Sequence, residues 1–323
     1  MPEWLVERGI GETRAALIEG GEIIEARIEV EGSVPAGSIL AAQLTGLGAG
    51  GRNAVARDSA GREYLLPRAP ERVTEGAALH IEVTREAIPG NEPWKRAIAR
   101  HTGEAPRSVP ELAERLGGRL LAFPPAQRDD LAEAGWHDLV VEAESGQVAF
   151  AGGSLRIALT PAMTLIDVDG FLPPEELAAA GAAAAARAIR RLDIGGSIGI
   201  DFPTVSGKPQ RLAVGEALDA VLQPPFERTA VNGFGFMQII RPRARASLLE
   251  LWSDRANAEA RALLRRAAME PAGAKRLAAH PRVVAILQAN AAWIEELQRQ
   301  AGGTVSLRAD PSLPMSGGYA EPA

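Results

Sequence analysis

Three aspartates at the ends of two apolar stretches are the side chains best placed for chemistry in this chain. Residues 164–170 read TLIDVDG and contain Asp167 and Asp169, and residues 197–202 read SIGIDF and contain Asp201. Each stretch is typical of a short buried strand, and residues two apart on a strand share a face. Clustered carboxylates repel one another, and Mg²⁺ relieves that repulsion while it keeps coordination positions for water and phosphate. The pattern therefore predicts a Mg²⁺ site.

The segment between the two stretches predicts how the aspartates come together. Residues 173–194 begin with PPEE, continue as an Ala-rich run and end with arginines before two glycines, which is the pattern of one helix. Strand, helix and strand form a crossover unit with two parallel, neighbouring strands. Open α/β sheets bind ligands at the carboxyl ends of such strands. The alternative is a role in turns and caps, which Asp169 before Gly170 could fill alone.

Basic residues that follow these strands are candidates for binding phosphate. Lys208 and Arg211 open a predicted helix, whose first N–H groups favour anions. Arg241 and Arg243 belong to the densest basic cluster of the chain, RPRAR at residues 241–245. The alternative for all of them is a solvated charged face.

Composition limits the classes of protein that fit. With 323 residues and 46% hydrophobic residues, the chain predicts two or three globular domains. The absence of cysteine excludes disulfides, thiolate zinc sites and cysteine nucleophiles, and it suits a reducing cytoplasm. The first residues lack the basic and apolar regions of a signal peptide, and no apolar run approaches the roughly 18 residues of a spanning helix. A net charge of −6 argues against a general nucleic-acid coat but allows a local basic groove.

Residues 36–100 predict a small all-β module. Strands are expected at 38–44, 53–57, 63–66 and 78–84, separated by glycine-containing turns. Short, evenly spaced strands are typical of a small barrel such as an OB-fold. Trp94 and Lys95 follow the last of these strands and could stack a base and hold a phosphate, or form only an exposed turn.

The remaining segments are less distinctive. We expect a β-hairpin over 3–30, a linker over 101–112, strands at 138–141, 147–150 and 305–308, amphipathic helices over 245–270 and 282–300, and a frayed tail over 311–323.

The order of these parts resembles the bacterial ribonuclease E/G family. The likeness covers residues 152–245 and consists of short motifs in the same order: GGS at 152–154, IDVD at 166–169, LDIGG at 192–196, IDF at 200–202, QRxAV at 210–214 and FG at 234–235. Residues 307–313 also resemble the end of that family's shorter members. No single motif is decisive, and the ordered set carries the resemblance.

The resemblance implies a mixed α+β, multidomain fold: an OB-type barrel, an α/β catalytic domain with DNase I-like and RNase H-like halves, and a C-terminal helical segment. The implied divisions are an N-terminal hairpin packing on the catalytic body (1–35), an RNA-binding barrel (36–100), a reduced linker or RNase H-like remnant (101–150), a metal-dependent catalytic domain (151–250), and a small helical domain with its tail (251–323).

The family's site residues carry over in part. Asp167 and Asp201 match the two aspartates that hold Mg²⁺, and Asp169 falls where the family has asparagine. Arg241 or Arg243 matches a basic position near the scissile phosphate. The resemblance therefore implies metal-assisted hydrolysis of single-stranded RNA.

Departures from the family pattern limit that inference. The segment that senses a 5′-monophosphate is missing, because only residues 101–150 separate the barrel from the catalytic strands. Val55 and Leu65 stand where the family has base-stacking aromatics, although Tyr64 is adjacent. The paired cysteines that join subunits through zinc are absent, which excludes a zinc-linked tetramer and leaves a homodimer open.

Three functions fit these observations. The first is a Mg²⁺-dependent endoribonuclease that cuts single-stranded RNA, which the pair Asp167 and Asp201 favours. The second is a non-catalytic relative that binds RNA or a ribonuclease partner, which the lost sensor and aromatics favour. The third is a metal-dependent enzyme that acts on a small nucleotide.

Overall fold

A computed structural model describes residues 1–90, 92, 95–125 and 128–323. The chain divides into two compact units: unit 1 comprises Met1–Glu31, Leu112–His137 and Leu251–Ala323, and unit 2 comprises Gly32–Glu111 and Asp138–Glu250. The predicted mixed α+β composition is confirmed. None of the described helices combines the length and the apolar character that a bilayer-spanning segment needs.

The N-terminal strands of unit 1 form an antiparallel sheet. They are β1 (Glu3–Arg8), β2 (Glu12–Glu19) and β3 (Glu22–Val30). The predicted hairpin is confirmed between β2 and β3. Gly20 and Gly21 form its turn with φ of 62° and 88°, a region that favours glycine. β1 adds a further strand on the other side of β2.

Unit 2 begins with a closed five-stranded barrel. Its strands are β4 (Ile39–Leu47), β5 (Ala54–Asp58), β6 (Glu63–Leu66), β7 (Ala78–Arg85) and β8 (Ala97–Thr102). They close in the order β4-β5-β6-β8-β7, and β6 pairs with β8 in parallel. This arrangement is consistent with an OB-fold. β8 was not predicted from the sequence, and it pairs with β7, the strand just before it, and with β6.

Short elements link the barrel to the second sheet of unit 2. They are α1 (Leu112–Leu116), β9 (Arg119–Leu121), α2 (Asp130–Glu133) and α3 (Trp136–Ser145). The predicted strand at 138–141 is wrong, because this segment lies within α3. Trp136, Leu139 and Ala143 are buried at helical spacing, which the adjacent valines at 140 and 141 obscured.

A six-stranded sheet with two helices completes unit 2. The elements are β10 (Gln147–Phe150), β11 (Gly153–Leu159), β12 (Thr164–Gly170), α4 (Pro174–Arg191), β13 (Gly196–Asp201), α5 (Lys208–Asp219), β14 (Glu227–Arg228) and β15 (Phe236–Arg241). The strand order is β10-β11-β12-β13-β15-β14. The predicted crossover is confirmed, since β12 and β13 are parallel neighbours joined by α4.

The helix α4 covers one face of this sheet. Alternate residues of β12, including Ile166 and Val168, are buried, while the residues between them are exposed. Gly181 allows α4 to approach β12 closely, because a Cβ atom there would lie 2.3 Å from Cγ1 of Val168. We call the opposite surface the open face. Its alternating residues on β11, β12, β13 and β15 are Ser154, Arg156, Leu165, Asp167, Asp169, Asp201, Phe236 and Gln238.

The remaining elements belong mainly to unit 1. They are α6 (Leu248–Ser253), α7 (Arg255–Met269), β16 (Lys275–Ala279), α8 (Pro281–Ala289), α9 (Ala291–Ala301), β17 (Val305–Ala309) and β18 (Tyr319–Pro322). Both predicted long helices are divided. Asp254 separates the first pair and caps α7, while Asn290 adopts φ −119° and ψ 63° between α8 and α9.

The prediction of a frayed tail is also wrong. Tyr319–Pro322 forms β18, which pairs with β16 in antiparallel orientation. β16 lies between β17 and β18 and was itself not predicted. Because that central strand was not predicted, no pairing partner for the tail could be predicted either.

Candidate functional site

Two carboxylates lie side by side on the open face. Asp167 on β12 and Asp201 on β13 are register partners in the parallel ladder, so their backbones are about 4.8 Å apart. Both side chains are exposed, whereas Ile166 and Ile200 on the same strands are buried on the helix-covered side. Strand alternation and the α4 crossover therefore bring together two aspartates that are far apart in sequence.

Neither carboxylate of the pair is neutralised by a cation in the part of the chain that the structure describes. Among the described residues, Asp167 and Asp201 have no hydrogen-bond or ion-pair partner. Adjacent like charges repel even in water, and a divalent cation would remove that repulsion. Two carboxylates with open surroundings also fit the way Mg²⁺ binds, with the rest of its shell left to water and phosphate.

Asp169 does not complete a three-carboxylate cluster. Over the part of the chain that the structure describes, no group of three or more acidic or histidine side chains could hold a metal ion. Asp169 does lie on the open face at the carboxyl end of β12, as predicted, and its role in catalysis stays a prediction. β13 ends at Asp201, so Asp169 pairs only with Ser154 of β11 and accepts a 3.2 Å hydrogen bond from the Gly170 amide. That contact is the turn role considered as its alternative.

Arg156 is a cation of the open face that sequence analysis missed. It lies on β11 directly opposite Asp167, and its side chain is exposed. Cross-strand neighbours have Cβ atoms about 4.5 to 5.5 Å apart, yet no ion pair joins these two residues. The signal was available, because Arg156 alternates with the buried Leu155 and Ile157. An exposed guanidinium beside the carboxylate pair can bind a phosphate with bidentate geometry.

Lys208 and Arg211 lie in the first turn of α5, a short distance along the chain from Asp201. Gly207 occupies the N-cap with φ of 82°, and no side chain caps the helix. Lys208 is exposed and Arg211 is half-buried. Neither has an ion-pair partner among the described residues. Both remain predicted phosphate ligands.

The arginines of the basic cluster at residues 241–245 already contact other residues of unit 2. Arg241 donates to the Ile194 carbonyl at 3.0 Å. Arg243 forms an ion pair with Glu250. Arg245 pairs with Asp193 at 2.9 Å; its partner lies in the turn between α4 and β13. These contacts favour the structural alternative for the cluster, and a phosphate role for Arg241 or Arg243 stays a prediction.

The barrel residues differ from expectation. Tyr64 is only 1% exposed, so its ring offers no face to a base and its assignment as an RNA contact is wrong. Its hydroxyl donates to Asp58 at 2.9 Å. Burial, together with that hydrogen bond, raises the pKa of Tyr64. Lys95 pairs with Glu92 at 3.2 Å, and Trp94 lies outside the described residues.

A groove beside the barrel contains some of these residues. Its volume is about 520 Å³, and Lys95 and Arg96 contribute to its wall. Arg96 already pairs with Glu63 at 3.0 Å. The groove therefore presents paired rather than free charges to a ligand.

Comparison with known proteins assigns no family. The chain matches no protein-family model, and a search among curated proteins found no match either. Function is therefore inferred from the residues of the site.

Proposed function

We propose that this protein is a Mg²⁺-dependent endoribonuclease that cuts single-stranded RNA at the open face of unit 2. One observation carries the proposal: Asp167 and Asp201 are register partners, exposed and without a partner among the described residues. The order of sequence motifs shared with the ribonuclease E/G family supports the choice of RNA as substrate. The closed barrel, which is consistent with an OB-fold, also suits a single-stranded nucleic acid.

The chain's own residues have distinct roles in this proposal. Asp167 and Asp201 would hold the metal and orient the phosphodiester beside it. Bound Mg²⁺ would supply a more acidic water and offset charge on the phosphoryl oxygens. Arg156 would bind a non-bridging oxygen of the same phosphate, and Lys208 would bind the neighbouring phosphate along the strand. Each positive charge offsets the negative charge that the acidic pair presents to RNA.

The first test is cleavage of an end-labelled, AU-rich single-stranded RNA. Wild-type protein should give internal cuts in Mg²⁺ and none in EDTA. Asp167→Asn and Asp201→Asn should each abolish cutting. Glu227→Gln is the matched control, because Glu227 is an exposed carboxylate of the same sheet at its edge strand β14. Cutting that survives in both aspartate variants would reject the proposal.

A second candidate is a non-catalytic RNA-binding protein. The occupied arginines after β15 and the burial of Tyr64 favour it, because both remove expected RNA contacts. The same experiment separates the two functions. RNA that is bound but left intact in Mg²⁺ would select the binding protein, and Asp-dependent cuts would select the nuclease.

A further inference from the structure

Two phenylalanine rings project into solvent at one edge of the six-stranded sheet. Phe171 directly follows β12, and Phe234 lies in the turn before β15. Each side chain is 85% exposed, and among the other large hydrophobic residues of the described chain only Met1 is more exposed. Burial of a phenylalanine ring normally stabilises a fold, because apolar surface is removed from water. Neither of these exposed rings makes that contribution.

Both rings lie just beyond the carboxylate pair. Asp167, Asp201 and Phe236 form one row across β12, β13 and β15. β15 runs antiparallel to β13. Phe234, two residues before Phe236, and Phe171, four residues after Asp167, therefore lie at the same edge of the sheet. The end of β13 lies between the two rings, whose strands are separated by about 9.6 Å, or two strand spacings. The two rings therefore lie at one edge beyond the pair, far enough apart for each to contact a different base.

The backbone on which Phe234 sits is held in place. The side-chain oxygen of Asn232 accepts hydrogen bonds from the amides of Phe234 and Phe236 at 2.9 and 3.0 Å. Gly235 has φ of 91°, and a Cβ atom there would lie 2.3 Å from the Phe202 carbonyl oxygen. Phe171 is anchored as well, because its amide donates to the Gly152 carbonyl at 3.2 Å.

We propose that Phe171 and Phe234 each stack a nucleobase of a single-stranded RNA that has a phosphate at Asp167 and Asp201. The inference rests on the function proposed for this site. Aromatic rings beside a phosphate track are the usual way to bind unpaired bases without reading their sequence. The barrel does not provide Tyr64 for this purpose, because that ring is buried. The stacking surface is therefore at the edge of the sheet.

The test measures binding rather than cleavage. Affinity for a short fluorescent oligouridine is measured by anisotropy in Mg²⁺, in the Asp201→Asn background so that the RNA stays intact. Adding Phe171→Ala or Phe234→Ala should weaken binding by about 5- to 150-fold each. Phe171→Tyr and Phe234→Tyr should retain the parent affinity, because an aromatic face is kept. Val141→Ala is the control, since Val141 is an exposed hydrophobic residue on α3.

An abasic oligonucleotide of the same length and charge makes the test specific for stacking. The parent should bind it less tightly than oligouridine, and the alanine variants should bind it as the parent does. Unchanged affinity of both alanine variants for oligouridine would overturn the inference. Self-association in sedimentation that either alanine substitution abolishes would also overturn it, because the rings would then serve contact between copies. Base-dependent binding without Asp-dependent cleavage would keep this inference and reject the nuclease.

Discussion

In unit 1, Glu7 and Glu12 are buried and bonded to arginines. On the open face of unit 2, Asp167 and Asp201 are exposed, and no described residue supplies a bonded cation. Glu12 accepts hydrogen bonds from Arg14 at 2.5 Å and from Arg261 at 2.6 Å. Glu7 accepts two from one guanidinium, that of residue 265, at 2.8 and 2.9 Å. Carboxylates are thus neutralised in one region, and in the other they have no partner among the described residues.

Buried carboxylates need partners for the fold to be stable, whereas exposed carboxylates are available to a ligand. A buried carboxylate must have charged partners, because removal from water costs several kcal/mol per ion, on the order of the whole stability of a domain. An exposed carboxylate has no such need. Two carboxylates in register that have no partner among the described residues add repulsion without adding a contact, which is why we propose a bound cation on the open face.

The largest expected loss of stability follows from removing one arginine of the buried ion pairs in unit 1. Arg265 bonds both oxygens of Glu7, which is 2% exposed, and also bonds Asp129 at 2.7 Å. Arg265→Ala leaves a buried carboxylate without its cation, so we expect the free energy of unfolding to fall by about 3 to 5 kcal/mol. Urea unfolding followed by tryptophan fluorescence measures this, because four of the five tryptophans belong to unit 1.

An exposed ion pair provides the matched control for that loss. Arg299 pairs with Glu296 on α9, and its side chain is 74% exposed. Arg299→Ala should lower the free energy of unfolding by no more than about 0.5 kcal/mol. Equal losses in the two variants would show that burial of Glu7 does not decide the strength of its ion pair.

The next effect is the acid sensitivity of unit 1. Burial by itself raises the pKa of Glu12, but the charges of Arg14 and Arg261 outweigh it, so the pKa lies below the ordinary 4.5. A lowered pKa stabilises the fold above pH 4.5, and this stability is lost as the pH falls through the folded-state value. Glu12→Gln should therefore be less stable at neutral pH.

The pH dependence of that variant is the sharper measurement. Below pH 4.5, the stability of wild type should fall more steeply than that of Glu12→Gln, by up to about 1.4 kcal/mol per pH unit. Some acid sensitivity should remain, because the pKa of Asp129 is also lowered despite its partial burial, through hydrogen bonds from Arg265 and the Ala132 amide. Parallel stability curves for the two proteins would contradict the linkage of Glu12 to folding.

The two regions also differ in how far sequence predicts them. The carboxylate pair was predictable, because β12 and β13 are short apolar runs joined by one helix, and alternation then fixes which face holds Asp167 and Asp201. Every step of that prediction uses either a local sequence pattern or a general rule of topology. The rule is that strands joined by one crossover helix are usually neighbours with a right-handed connection. The position of Arg156 followed from the same alternation, since Ser154 and Arg156 alternate with the buried Leu155 and Ile157 on β11.

The buried ion network had no comparable signal. Glu12 and Arg261 are 249 positions apart, and no local pattern relates them. The prediction for the tail was wrong for the same reason, because β18 gains its hydrogen bonds from β16, and α8, α9 and β17 lie between the two strands. The prediction for Tyr64 was wrong for a different reason. Strand alternation assigns this residue to one face of the strand but does not say which face is the interior of a closed barrel.

The smallest expected effect tests the open region directly. Asp201→Asn removes one of two adjacent unpaired charges, so in EDTA the β12 and β13 amides should gain protection from hydrogen exchange equivalent to at most about 1 kcal/mol. Added Mg²⁺ should make wild type the more protected of the two proteins, because a ligand stabilises only the protein that binds it, by RT ln(1 + [L]/Kd). Glu227→Gln should match wild type under both conditions, since Glu227 lies on the edge strand β14. A stability difference that Mg²⁺ leaves unchanged would mean that the pair does not hold the cation, and the contrast with the arginine-paired carboxylates of unit 1 would then have no functional meaning.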